Sequence, residues 1–171
     1  MPHSRIAIYP GSFDPITYGH LDIIKRSLRI FEHVIVAVAR NSQKNALFGI
    51  DERIALIRSV LKDEQRVSVD TFSGLLIDYV ASKNAHVVVR GLRAISDFEY
   101  EFQIAQMNNS ISHDVETLFM MTSVQYGYLS SSIVREVCSL GGNVDSFVPA
   151  EVKAAMQKKY GLTGSQSADS V

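Results

Sequence analysis

Five short apolar runs, each separated from the next by a stretch of helical periodicity, restrict this chain to very few folds. The runs are Ile6–Tyr9, Val34–Ala39, Arg66–Phe72, Val87–Val89 and Leu118–Met121. Arg66–Phe72 alternates, with Val67, Val69 and Thr71 on one face. The others are almost continuously apolar, as strands of a sheet covered on both sides are. Between them, His20–Phe31 places Leu21, Ile24, Leu28 and Phe31 on one stripe. Asp51 is expected to cap a helix burying Ile54, Ile57, Val60 and Leu61, and Leu75–Ala81 is a shorter apolar helix. Ser96 and Glu99 have the S-x-x-E form of a capping box, opening a helix to about Asn109. Ser130 or Ser131 caps the next helix, which stops at Gly141-Gly142, and Pro149 suits the first turn of a last one, Ala150–Tyr160. Such alternation specifies a single doubly wound Rossmann-like α/β domain over residues 1–161, with a parallel sheet and right-handed crossovers. Residues 162–171, LTGSQSADSV, have no apolar pattern and are expected to form a disordered tail.

Ligands of such folds sit beyond the carboxyl ends of the strands, where the strand order reverses. Polar and glycine-rich motifs therefore matter most directly after strands, and three occur there. After the first strand comes Gly11-Ser12-Phe13-Asp14-Pro15-Ile16-Thr17-Tyr18-Gly19-His20. Gly11 and Gly19 let backbone approach a ligand closely. Thr17 and His20, three apart, share a face if a helix starts here, and His20 then stands where free N–H groups and the helix dipole favour an anion. After the fourth strand comes Arg90-Gly91-Leu92-Arg93, followed by Asp97, Glu99 and Glu101. Two arginines around a glycine suit phosphate binding from two sides; the alternative is surface ion pairs with those carboxylates. After the fifth strand comes Tyr126-Gly127-Tyr128-Leu129-Ser130-Ser131-Ser132, with Arg135 a turn later. One serine suffices for a cap, so two of the three need another role. Lys44, in the polar stretch Arg40–Asn45 after the second strand, is either a fourth cation or a solvated loop lysine.

Several classes are excluded. With 17 Lys and Arg against 18 Asp and Glu, net charge is −1, no footprint for a nucleic-acid backbone. Any phosphate is bound by a few placed cations and not by a basic field. The chain has no G-x-x-x-x-G-K-[ST], no G-x-G-x-x-G after the first strand, no zinc spacing, no G-x-S-x-G elbow and no defensible hydrolase triad. No protein metal ligands are assigned. A single cysteine, Cys138, precludes an intramolecular disulfide, fits a reducing compartment, and reads as a packed thiol beside Val134 and Val137. No apolar run approaches the ~20 residues of a membrane span. The start MPHSRIAIYPG reads as a strand without a signal-peptide core, so a cytoplasmic address is expected.

Thr17-Tyr18-Gly19-His20 resembles the (H/T)xGH signature of the nucleotidyltransferase superfamily, and Leu129–Arg135 resembles its second signature, ISSTxxR or ISSSxxR. Tyr9–Thr17, Arg90–Ala94 and Asp97–Glu101 narrow the resemblance to the bacterial phosphopantetheine adenylyltransferases, over about Arg5 to Tyr160. That resemblance implies a sheet of order 3-2-1-4-5, transfer of AMP from ATP to 4'-phosphopantetheine, Mg²⁺ with the ATP, and a homohexamer. It implies catalytic roles for His20, Lys44 and Ser12, with His20 on the α-phosphate of ATP. Ser130, Ser131, Ser132 and Arg93 hold the β- and γ-phosphates. The rest of the ATP site is Ser12, Phe13, Gly91, Leu92, Glu101, Tyr126, Gly127, Tyr128 and Leu129. Ser12, Lys44, Leu76 and Arg90 bind phosphopantetheine, whose arm Tyr100, Met107 and Asn108 line. Ser12 departs from the family's frequent threonine, keeping the hydroxyl and losing the orienting methyl. The rivals are a nucleotidyltransferase using CTP or another acceptor, a non-catalytic nucleotide sensor, and a flavodoxin-like binding domain. The last leaves Arg90, Arg93 and the serines unexplained, and no motif is broken as a sensor's would be.

Overall fold

The computed structural model describes residues 5–40, 45–93 and 95–162, without the side chains of 95–97. Lys44 and the expected tail from 163 onward lie outside the described residues. The strands are β1 (Ile6–Gly11), β2 (His33–Ala39), β3 (Val67–Phe72), β4 (Val87–Leu92) and β5 (Glu116–Met121). The helices are α1 (Tyr18–Ser27), α2 (Ile50–Val60), α3 (Leu76–Ser82), α4 (Ile95–Ile111), α5 (Ser131–Ser139) and α6 (Ala150–Lys159). A single 3-10 turn, Val124–Tyr126, precedes α5. The strands form one sheet in the order β3-β2-β1-β4-β5, and every pairing is parallel. This is the expected order, and its switch point lies between β1 and β4, where Ala7 pairs with Val87 and Ile8 with Val88.

Strand alternation divides the core between the two faces. Ala7, Tyr9, Val34, Val36, Val38 and Val89 point to one side, against Leu21, Ile24, Ile57, Val134, Cys138, Val152 and Met156 of α1, α2, α5 and α6. Ile8, Ile35, Ala37 and Val88 point to the other, against Tyr79 and Val80 of α3. Cys138 is thus a core side chain, and burial pushes its thiol pKa up. The fourth helix differs: Phe98, Tyr100, Phe102, Ile104, Met107 and Ile111 are all exposed.

Several boundaries shift from expectation, each for a local reason. Pro10 and Gly11 continue β1 because parallel ladder bonds to Ala37 and Val38 do not depend on side-chain polarity, and β4 continues to Leu92 opposite Met121 likewise. Asp51 is not the cap of α2. Gly49 takes that position with an extended backbone, its N–H donating to Glu52 Oε2 at 2.8 Å, and Asp51 falls inside the first turn. Ser96 likewise lies inside α4, which already begins at Ile95. The α1 helix starts at Tyr18, two residues early, because Thr17 caps it.

Candidate active site

The carboxyl ends of β1 and β4 and the amino ends of α1 and α5 enclose one cavity of about 820 Å³. The turn after β1 is tightly determined. Phe13 has φ +46, a left-handed conformation that costs a bulky residue roughly 1–2 kcal/mol. Burial holds it there: its ring is 1% exposed and meets Tyr9 and His20 edge-on, at centroid distances of 5.4 and 5.1 Å. Gly11 makes room for that ring, since a Cβ there would lie 3.0 Å from it. Gly19 is different. A Cβ there would meet only ordinary contacts, so the protein itself does not demand glycine, yet the residue lines the cavity.

His20 stands at the third position of α1. The Thr17 N–H donates to His20 Nδ1 at 3.0 Å, and the His20 N–H donates to Thr17 Oγ1 at 3.4 Å. This is a capping box with histidine in the place usually held by Glu or Gln. It also fixes the tautomer. A backbone N–H can only donate, so Nδ1 is the acceptor and the proton resides on Nε2. Burial, aided by Arg93 and Arg90, lowers the His20 pKa from 6.5 to about 4. Two effects therefore agree: His20 is a neutral imidazole whose one N–H is Nε2–H. Burial also pushes the neighbouring Tyr9 phenol well above its ordinary pKa, against the opposing pull of Arg90 and Arg93.

Opposite α1, the serine run divides its labour. Ser130 caps α5, accepting from the Ile133 N–H at 3.1 Å, while Ser131 Oγ donates to the Pro15 carbonyl at 2.8 Å and ties α5 to the β1 turn. Ser132 lines the cavity, together with the first-turn amides that a helix leaves without carbonyl partners. Arg93 Nη1 reaches the Leu129 carbonyl at 3.4 Å. Arg90 is held in place: Nε donates to Glu101 Oε2 at 2.7 Å, Nη2 to the other carboxylate oxygen, and Nη1 to the Pro10 carbonyl at 2.9 Å. For Arg90 the two sequence readings merge, a cation in the site that is also ion-paired. Arg90, Tyr100 and Glu101 further line a second cavity of about 150 Å³, with Leu76, Val88, Ile104 and Asn108 on its walls.

Two helix amino ends, a neutral histidine donor and two arginines around one cavity suit a polyphosphate; the adjoining, more apolar cavity suits a neutral extension of a second substrate. Comparison with known proteins identifies the family. The cytidylyltransferase-like family model matches residues 8–137. Phosphopantetheine adenylyltransferases from Geobacter metallireducens and Geobacter sulfurreducens are 70% and 71% identical, over 91% and 92% of this chain and 96% of each relative. That from Moorella thermoacetica is 51% identical over 92% of this chain and 99% of its own. The chain belongs to the phosphopantetheine adenylyltransferase family. At the level of fold, Plasmodium falciparum nicotinic acid mononucleotide adenylyltransferase complexed with NaAD superposes with a TM-score of 0.62 at 16% identity, covering 92% of this chain and 96% of that one.

Of the residues that resemblance to the phosphopantetheine adenylyltransferases assigned to ATP, Ser12, Phe13, His20, Gly91, Arg93, Glu101 and Gly127 through Ser132 line the large cavity. Leu92 and Tyr126 line neither cavity: the Leu92 carbonyl accepts from Thr122 N–H at 2.9 Å, and Tyr126 stacks on Tyr18. Of those assigned to phosphopantetheine, Ser12 lines the large cavity, Leu76 and Asn108 the small one, and Arg90 and Tyr100 both. Met107 lines neither and is 60% exposed. Tyr9 and Thr122 line the large cavity without having been singled out, because Tyr9 reads as an ordinary strand residue and Thr122 follows a strand without a motif. Asp22 was missed altogether. It accepts from the Ser123 N–H at 3.1 Å and Oγ–H at 2.9 Å, anchoring the turn that leads to the serines. Asp22 is one of several polar residues of α1, with His20, Lys25, Arg26 and Ser27, so nothing local marks it.

Proposed function

We propose that the large cavity takes ATP beside the phosphate of 4'-phosphopantetheine, and that the small cavity takes part of the pantetheine arm. The reaction is transfer of the adenylyl group, giving dephospho-coenzyme A and pyrophosphate. The acceptor is a phosphate monoester with a second pKa near ~6, so it is already largely dianionic at neutral pH and needs no general base. One of its oxygens attacks the α-phosphorus of ATP, the bond to the bridging oxygen of the β-phosphate breaks, and that oxygen leaves with pyrophosphate. What remains for the protein is to bring two polyanions together in line and to meet the charge that develops.

The observation that carries this reading is the orientation of His20. With Nδ1 committed to the Thr17 N–H, Nε2–H is a fixed donor at the cavity wall beside the amino end of α1. A neutral donor of this kind stabilises the α-phosphoryl oxygens in the transition state without a proton changing hands. Arg93, Ser132 and the first-turn amides of α5 hold the β- and γ-phosphates. Arg90, oriented by Glu101, and Ser12 hold the acceptor phosphate, with Lys44 completing the set on the strength of the family resemblance. Mg²⁺ would come with ATP and would supply charge neutralisation at its phosphates. Among the described residues no group of three or more His, Cys, Asp or Glu is placed to hold a metal. The exposed apolar side chains of α4 support self-association, for which the family resemblance implies a homohexamer. Among the described residues no helix is long and apolar enough to cross a membrane, and we place the enzyme in the cytoplasm.

The test is pyrophosphate release from ATP at saturating Mg²⁺, with and without 4'-phosphopantetheine. Release that requires phosphopantetheine and yields dephospho-coenzyme A is the expected result. Release with CTP in preference to ATP, or with another acceptor only, would overturn the substrate assignment.

A further inference from the structure

The arginine of the second signature does not face the nucleotide cavity. Lining residues of α5 end at Ile133, whereas Arg135 points toward the turn after β1. Its Nη1 donates to Asp14 Oδ2 at 2.7 Å and to the Asn45 carbonyl at 3.2 Å. Asp14 is 1% exposed and accepts two further bonds, from the Leu47 N–H and the Phe48 N–H, each at 2.9 Å. Arg53 of α2, 4% exposed, closes the cluster: its Nε lies 3.8 Å from Asp14 and donates to the Phe48 carbonyl at 2.8 Å, and its Nη1 donates to the Ser12 carbonyl at 3.1 Å. Three charged side chains from three separate parts of the chain thus converge on the backbone of residues 45–48 and of Ser12.

We propose that Arg135 is a positioning residue for the acceptor side of the active site, acting through Asp14 on the segment Asn45–Phe48. This rests on the assignment of Ser12 and Lys44 to the phosphopantetheine phosphate, since Lys44 immediately precedes Asn45. The physics favours a rigid arrangement. A buried carboxylate is stable only when its charge and lone pairs are matched, and here two guanidiniums and two amides match it. Without Arg135, Asp14 keeps, among the described residues, only the more distant Arg53 as a cation, and the Asn45 carbonyl loses this donor. The segment then slackens at its Asn45 end, while Ser130 and Ser131 keep the bonds that place the start of α5 beside the large cavity. An arginine gripping the triphosphate directly would do the opposite.

The two roles separate in full-length Arg135→Gln and Arg135→Lys. In Arg135→Gln the KM for 4'-phosphopantetheine is expected to rise about tenfold, the scale of losing one charge-assisted hydrogen bond, while the KM for ATP stays within about twofold. Lysine, which still reaches Asp14, is expected to recover most of that loss. Hydrogen–deuterium exchange without substrates is expected to speed up across residues 45–48 in Arg135→Gln and to stay unchanged across residues 129–133. A rise in the KM for ATP equal to or greater than that for phosphopantetheine overturns the proposal, as does no change in either. Unchanged exchange at 45–48 overturns it independently. The exchange arm needs no turnover. A wild-type enzyme that made no dephospho-coenzyme A would refute the assigned reaction, while exchange still decided the clamp.

Discussion

Acidification distinguishes a neutral His20 from the more familiar imidazolium. With the folded pKa near 4 and the unfolded value at 6.5, the folded chain binds fewer protons than the unfolded one between those limits. The sign follows: stability due to neutral His20 is fully present above pH 6.5 and is lost as pH falls towards 4. Integrated down to pH 4.5, the loss is about 2.5 kcal/mol, at about 1.4 kcal/mol per pH decade of displaced pKa. The comparison protein is His20→Gln, which keeps a residue able to complete a capping box but does not titrate. Wild type is expected to lose about 2.5 kcal/mol against His20→Gln between pH 7.5 and 4.5, or about 5–10 °C in relative melting temperature for a chain of this size. Titrations shared by both proteins cancel in that difference.

The same arrangement predicts spectroscopic and kinetic behaviour. Of five histidines, the one whose ¹⁵N resonances vanish in His20→Gln is expected to show the Nε2–H tautomer and to remain neutral down to about pH 5. Turnover is expected to fall on the acid side with unit slope near pH ~6, from protonation of the acceptor phosphate alone. His20→Ala is expected to lower kcat by roughly 10²–10³, the usual effect of deleting one transition-state donor, with far less change in ATP affinity. A histidine titrating near 6.5, a stability difference independent of pH, or equal losses in kcat and ATP affinity would each refute the reasoning.

Arg90→Ala is expected to raise the KM for 4'-phosphopantetheine more than that for ATP in steady-state assays; the reverse order would exchange the roles of Arg90 and Arg93. Gly91→Ala and Gly19→Ala are expected to diverge in denaturant titrations and ATP-binding calorimetry. A Cβ at Gly91 would lie 3.1 Å from Ile23 in the core, so stability drops by about 1–3 kcal/mol. A Cβ at Gly19 meets only ordinary contacts, so the loss there is in ATP affinity. Cys138, buried and with its pKa raised, is expected to react with a disulfide reagent only at the rate of unfolding.

Most of the fold was legible because strand pairing and helix packing write periodic apolar patterns into sequence. The sheet order came from family resemblance; the pattern itself specified only a parallel, doubly wound sheet. Element ends were less legible, and for a consistent reason. A cap is chosen by backbone geometry, so Gly49 displaced the better-looking Asp51 at α2. The lining of the large cavity was legible where it comes from contiguous motifs, as at His20, Arg90, Arg93 and the serines. Long-range partnerships were not legible. Asp14 and Arg135 are 121 positions apart, and nothing local marks them as partners.

That contrast bears on how a chain of net charge −1 accommodates two polyanions. Among the described residues, Arg90, Arg135 and Arg53 are not free charge. Arg90 is neutralised by Glu101, Arg135 and Arg53 are turned onto Asp14, and His20 is neutral. Held this way, the groups cost little reorganisation when substrates arrive, because their orientations are set by carboxylates and backbone carbonyls before any phosphate binds. In the proposed site the donors offered to the phosphates are thus set in advance: the Nε2–H of His20 and the first-turn amides of α5, with Arg93 beside them. Dipoles of that kind attract an anion strongly only at contact distance. They favour a well-placed triphosphate over polyanions at large, as a small-molecule transferase requires.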